Sequence, residues 1–160
     1  MSIQTGQAIP AASVSLIDAD GPRSVRTDAL FAGRRIVLFS VPGAFTPTCS
    51  SRHLPGYVAQ LPAFRARGVE VACMAVNDAY VMQAWAATQD VPPALMMLAD
   101  GNGEFTRALG LELDASAYGM GLRSRRFALY AVDGIVRVLQ VEAPGEFAVS
   151  SAEAMLAALD

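Results

Sequence analysis

The sequence predicts one α/β domain over residues 1–160, with a central mixed β-sheet flanked by helices on both faces. Three observations carry this. Strand-like and helix-like segments alternate from residue 35 onward. Two strand candidates, "RIVLFSV" (35–41) and "VEVACMAV" (69–76), are almost wholly apolar, as strands covered on both faces are. Asp133-Gly134 lies between two further apolar runs, and both residues tolerate positive φ, so they mark a two-residue hairpin. Alternation closed by an antiparallel pair is a layered α/β pattern.

Each element has its own signal. The first thirty residues read as loops and short strands, with "DADGP" (18–22) a turn. After the 35–41 strand a helix should begin near Pro47 and run to about Arg67. Leu54, Tyr57, Val58, Leu61 and Phe64 recur at helical spacing, and Gly68 can end it. Pro55 lies inside that span and should kink it. After the 69–76 strand, Asn77 or Asp78 caps a helix with Val81, Ala84, Trp85 and Thr88 on one side. "ALMMLAD" (94–100) is a third strand, "DGNG" a turn, and a short helix with Phe105, Ala108 and Leu109 follows. The last helix starts at "SSAE", where Ser150 and Glu153 fit a capping box.

Composition narrows the function. Hydrophobic residues make up 53% of the 160 and charged ones 17%, enough for a sizeable core and too apolar for disorder. A net charge of -3 argues against nucleic acid, which recruits a basic face. All 12 basic residues are arginine, so no lysine is available for Schiff-base or P-loop chemistry. The longest apolar runs are strand-sized, which speaks against a membrane role. "MSIQTGQAIP" lacks a basic region followed by an apolar one. The expected location is the cytoplasm, where two cysteines remain free thiols. His53, the single histidine, leaves little scope for a Cys/His zinc site.

The chemistry concentrates at "VPGAFTPTCS" (41–50), directly after the first buried strand. Thr46 can be the N-cap and Pro47 the first helical residue, where a missing N–H costs nothing. Cys49 then falls in the first turn, beside unpaired backbone N–H groups and the positive end of the helix dipole. Both favour a thiolate over a thiol. The alternative is a small buried apolar cysteine; the helix-start position favours the nucleophile. Thr46 is three residues before the sulfur, so no disulfide can close within T-x-x-C, unlike C-x-x-C. His53 follows Cys49 by one turn. It reads either as a polar packing residue or as the base of a Cys–His hydrolase, and the first is favoured because no orienting partner is evident. A fixed cation would assist an anionic sulfur, and Arg123, Arg125 and Arg126 are the candidates. Arg126 is flush against the apolar run 127–132, where an unpaired charge is expensive.

These residues resemble the peroxiredoxin family, in its type II (peroxiredoxin-5-like) branch. The pattern P-x-x-x-T-x-x-C is present as Pro42-Gly43-Ala44-Phe45-Thr46-Pro47-Thr48-Cys49. "VPGAFTPTCSSRHLPGY", "AVNDAYVM", "LADGNGEFTRALGLELD", "GLRSRRFALYAVDGIV" and "GEFAVSSAEAML" extend the likeness over nearly the whole chain. The resemblance implies a thioredoxin-like fold and thiol peroxidase activity without metal, haem or flavin. It implies Cys49 as the peroxidatic cysteine, Thr46 as the hydroxyl at sulfur and peroxide, and Arg126 as the active-site arginine. Pro42 would shield the pocket, with Phe45 beside it and His53 in support. The implied substrates are hydrogen peroxide and alkyl hydroperoxides, and the implied assembly is a homodimer packed near the active-site edge. Some relatives carry a resolving cysteine near the C-terminus, where this chain has "FAVSSAE" (147–153). Cys73, inside a strand, is either an inert core residue or a resolving cysteine, and burial favours the first. The expectation is therefore a one-cysteine cycle reduced by glutathione and glutaredoxin. A thioredoxin-dependent cycle through Cys73 and a non-enzymatic peroxide sensor are the alternatives.

Overall fold

A computed structural model describes residues 1–18 and 20–159. The elements are β1 (Ser13–Asp18), β2 (Gly21–Arg26), α1 (Thr27–Phe31), β3 (Arg35–Val41), a π-turn (Cys49–His53) and α2 (Leu54–Ala66). They continue with β4 (Glu70–Ala75), α3 (Ala79–Thr88), β5 (Leu95–Ala99), α4 (Glu104–Leu109), β6 (Glu112–Asp114), a 3-10 turn (Ser116–Tyr118) and β7 (Leu122–Ser124). The chain closes with β8 (Phe127–Val132), β9 (Ile135–Val141) and α5 (Ala152–Ala158).

Seven strands form one sheet in the order β2-β1-β5-β4-β3-β8-β9, while β6 and β7 pair separately. β3, β4 and β5 run parallel; β8 is antiparallel to β3. The sheet is therefore mixed, as expected. Asp133 and Gly134 turn β8 into β9 with φ of 48° and 75°. The turn expected over 18–22 includes Ala19, which lies outside the described residues; β1 and β2 pair antiparallel on either side.

Strand alternation divides the core into two layers. Val37, Phe39 and Val41 join Val71, Cys73 and Ala75 against the buried side chains of α2, α3 and α5. Ile36, Leu38, Ala72 and Met74 face α1 and α4. This double cover explains why β3 and β4 carry so few polar residues.

Three local expectations are corrected. The buried face of α3 is Met82 and Trp85, with Ala84 and Thr88 exposed, because the two large side chains fill the core layer with Leu95 and Met97. Asp78 accepts from the Val81 N–H at 2.9 Å. The cap of α5 is Ser151, which accepts from the Ala154 N–H at 3.1 Å. Ser150 is fully buried and its hydroxyl donates instead to Glu142 at 2.6 Å. The Ser150 hydroxyl is drawn to the Glu142 carboxylate by a charge-assisted bond, and Ser151, in extended conformation, supplies the oxygen that accepts from the helix start. The third concerns the kink expected at Pro55: the irregularity lies earlier, at Cys49–His53. The helix starts at Pro47 and widens into the π-turn over Cys49–His53, closed by the Leu54 N–H to the Cys49 carbonyl, before resuming as α-helix. Single π-turns within helices re-aim side chains at functional sites.

Candidate active site

The site lies at the carboxyl end of β3, where the chain leaves the sheet. Asn77, just past β4, accepts from the Ala44 N–H at 2.9 Å and ties down the connecting loop. Gly43 is closely packed: a Cβ would meet the side chains of Thr46, Met120 and Arg123, each at 3.3 Å, so these would have to shift slightly. Arg123 donates to the carbonyls of Met120 and Val76, so it braces loops rather than facing the sulfur. Phe45 adopts φ of 65° and is 54% exposed. A bulky residue in the left-handed region is strained, and this strain sits immediately before Thr46.

Thr46 begins the helix through its backbone: its carbonyl accepts from the Ser50 N–H at 3.0 Å. Its hydroxyl does not cap the helix. It donates to the Gly43 carbonyl at 2.6 Å, which leaves the Oγ1 lone pairs as acceptors. Thr48 and Cys49 precede that first helical bond, so their N–H groups have no partner within the helix. Trp85 of α3 donates to the Ser50 hydroxyl at 2.9 Å and anchors the turn from the other side.

Cys49 is fully buried, and Arg126 reaches it from the residue before β8. Nη2 of Arg126 donates to Cys49 Sγ at 3.2 Å, while Nη1 lies 2.8 Å from His53 Nδ1. Because a guanidinium has only donors, Nδ1 is the acceptor and the ring proton is on Nε2. Nε2 donates to the Ser150 carbonyl at 3.1 Å. Burial, and then the positive charge of Arg126, lower the His53 pKa to about 3. His53 is thus a neutral imidazole with both nitrogens occupied, and neither faces sulfur. A Cys–His hydrolase has no base here. The 2.8 Å bond also shows what offsets the charge of Arg126 beside an apolar strand.

Pro42 is half-buried and lines a cavity of about 150 Å³ together with Thr48, Leu113, Arg125 and Arg126. Phe45 does not share that lining; it faces outward. Cys73 is fully buried in β4, on the same face of the sheet as Cys49, and burial foremost pushes its thiol pKa well up. Among the described residues, no group of three or more His, Cys, Asp or Glu is placed to hold a metal ion. None of the described helices is long and apolar enough to cross a membrane.

The sequence reading missed Glu142, Ser150, Tyr57 and Phe147. Glu142 is buried, and its Oε2 accepts from the Ala148 N–H, the Ser150 N–H and the Ser150 hydroxyl at 2.6–2.8 Å. Tyr57 donates to the Ser150 carbonyl at 2.7 Å. The Phe147 ring lies 4.8 Å from that of His53, with Arg52 4.8 Å and Arg126 5.9 Å from its centroid. A charge following the apolar "IVRVLQV" was the available signal for Glu142, the same signal that singled out Arg126.

A sheet of this order with a buried thiol at the start of a helix, held by a guanidinium, defines a thiol enzyme on a thioredoxin-like scaffold. Comparison specifies it. The Redoxin family matches residues 4–156. The chain is 51% identical to peroxiredoxin-2E-2, chloroplastic, of Oryza sativa subsp. japonica, over 99% of this chain and 73% of that one. It is 45% identical to peroxiredoxin-2B of Arabidopsis thaliana over 98% of both. The solved complex of reduced Prx3 with hydrogen peroxide, from Vibrio vulnificus, superposes with a TM-score of 0.94 at 48% identity and 99% coverage of both chains. The chain belongs to the Redoxin family and is a peroxiredoxin, a thiol peroxidase of the oxidoreductase class.

Proposed function

We propose that Cys49 is the peroxidatic cysteine, with Arg126 and Thr46 as its catalytic partners, in a one-cysteine cycle. The observation that supports this most is the 3.2 Å contact from Arg126 Nη2 to Sγ. A guanidinium at that distance favours the anionic sulfur and can stabilise negative charge as it develops on a leaving oxygen. The Thr46 hydroxyl spends its proton on Gly43. Its lone pairs can therefore accept a peroxide O–H and align the O–O bond with the sulfur.

The Cys49 thiolate attacks one peroxide oxygen. The S–O bond forms as the O–O bond breaks, giving a sulfenic acid and hydroxide or alkoxide. The leaving anion takes a proton and departs as water or alcohol. The free N–H groups of Thr48 and Cys49 add donors to the same space. The mostly apolar cavity beside Pro42 and Leu113 suits the organic part of an alkyl hydroperoxide.

Reduction then needs an external thiol. Glutathione condenses with the sulfenic acid to a mixed disulfide and water; a second thiol, delivered through glutaredoxin, releases Cys49. Cys73 is a poor resolving group because it is buried in a central strand and protonated. Exposed Phe45 at the active-site edge supports a homodimer on that side.

The deciding assay is peroxide turnover with glutathione plus glutaredoxin against thioredoxin, in wild type, Cys49→Ser and Cys73→Ser. The proposal requires turnover with the first system, none in Cys49→Ser and most of it in Cys73→Ser. Loss of thioredoxin-driven cycling in Cys73→Ser, with the first oxidation spared, replaces it with the two-cysteine cycle. Oxidation with no turnover by either reductant makes the chain a sensor.

A further inference from the structure

Arg126 must keep one N–H on sulfur while its other arm is held still. The arm is held by His53 Nδ1, and that acceptor exists only in the Nε2–H tautomer. The tautomer depends on Nε2 having a carbonyl to donate to. That carbonyl belongs to Ser150, in the loop after β9 that also lays Phe147 against His53, and it accepts from the Tyr57 hydroxyl as well.

The loop is fastened by Glu142. The carboxylate is 4% exposed and gathers the N–H groups of Ala148 and Ser150 and the Ser150 hydroxyl on one oxygen. Burial opposes its charge, but these hydrogen bonds outweigh burial and hold its pKa below the usual carboxylate value. Three donors on one oxygen favour its ionised form. The backbone N–H of Glu142 also bonds to the Arg126 carbonyl at 2.9 Å, so the fastener and the arginine face each other just beyond the paired ends of β9 and β8.

We propose that Glu142 is a positioning residue of the peroxidase site. It orders residues 148–150 so that the Ser150 carbonyl fixes His53 as its Nε2–H tautomer, which keeps Nδ1 open to Arg126. The inference rests on the reading of Cys49 and Arg126 given above. It runs Glu142, Ser150, His53, Arg126, Cys49, each link a hydrogen bond of 2.6–3.2 Å.

His53 is the single histidine, so long-range proton–nitrogen NMR of the ¹⁵N-histidine-labelled protein reads one imidazole. Wild type should show one neutral ring protonated on Nε2. Glu142→Gln removes the charge and sets an amide against the donors. It should give a mixture of tautomers and slow sulfenate formation about tenfold in stopped flow. Should Glu142→Gln fail to fold, Ser150→Ala takes its place, with a partial tautomer shift and a rate about threefold lower. An Nδ1–H ring in wild type, or a wild-type spectrum and rate in whichever variant folds, overturns the proposal. The spectrum needs no peroxide. Continued turnover in Cys49→Ser would therefore sink the peroxidase site while leaving the link from Glu142 to His53 standing.

Discussion

Cys49 and Cys73 are the same residue, both fully buried, on the same face of one sheet. Their surroundings differ in one respect. Cys49 lies where a π-turn opens the start of a helix, with a guanidinium 3.2 Å from its sulfur. Cys73 sits inside β4 between two parallel neighbours, with apolar packing around it and its thiol pKa raised. Burial alone therefore does not distinguish the two sulfurs. What separates them is whether the fold supplies a fixed cation and free N–H donors along with the burial.

The comparison is broken most directly at the sulfur itself. Cys49→Ser should lower peroxide turnover by at least about a thousandfold, since a hydroxyl is not ionised at neutral pH; residual turnover near wild type would place the chemistry elsewhere. Arg126→Lys comes next. An ammonium keeps the charge but not the fork that reaches Sγ and Nδ1 together, so stopped-flow oxidation should slow about a hundredfold. Thr46→Val should cost about tenfold in the same measurement, with Thr46→Ser recovering most of it. A full-rate valine variant would remove the hydroxyl from the mechanism.

The imidazole behind Arg126 makes the comparison visible in stability. Unfolded His53 takes up a proton near pH 6.5, but folded His53 does so only near 3. Between these values the unfolded chain binds more protons, so stability rises with pH. The contribution is complete above about pH 6.5 and falls by at most about 1.4 kcal/mol per unit as pH drops toward 3. Urea unfolding at pH 7.5 and 5.5 should show this slope in wild type and a shallower one in His53→Gln. The smallest effect belongs to the other cysteine. Cys73→Ala should leave turnover within about twofold and lower stability by about 1 kcal/mol through lost packing.

The elements around Cys49 were legible because local chemistry fixes them. Thr46-Pro47 suits a helix start, Asp133-Gly134 turns a hairpin, and the apolar runs 35–41 and 69–76 call for cover on both sides. Arg126 was legible as a charge misplaced against a core strand. The remainder depended on contacts distant in sequence. Nothing near Ser150 announces that its hydroxyl serves Glu142 rather than the helix end. The buried face of α3 was set by Met82 and Trp85, whose packing partners come from strands distant in sequence. The sheet order, with β1 joining beside β5, is a packing choice among patterns that look alike in one dimension.

The guanidinium owes its place to the pairing of β8 with β3, where Phe127 lies opposite Ser40. Arg126 is one step beyond that pair, just as the other strand departs toward the thiol. Sliding β8 by a single residue would swing the arginine to the opposite side of the sheet and leave the sulfur alone. The ladder thus works as a ruler for the chemistry. Inserting one amino acid between Arg126 and Phe127 should disarm the enzyme more completely than many replacements within the cavity itself.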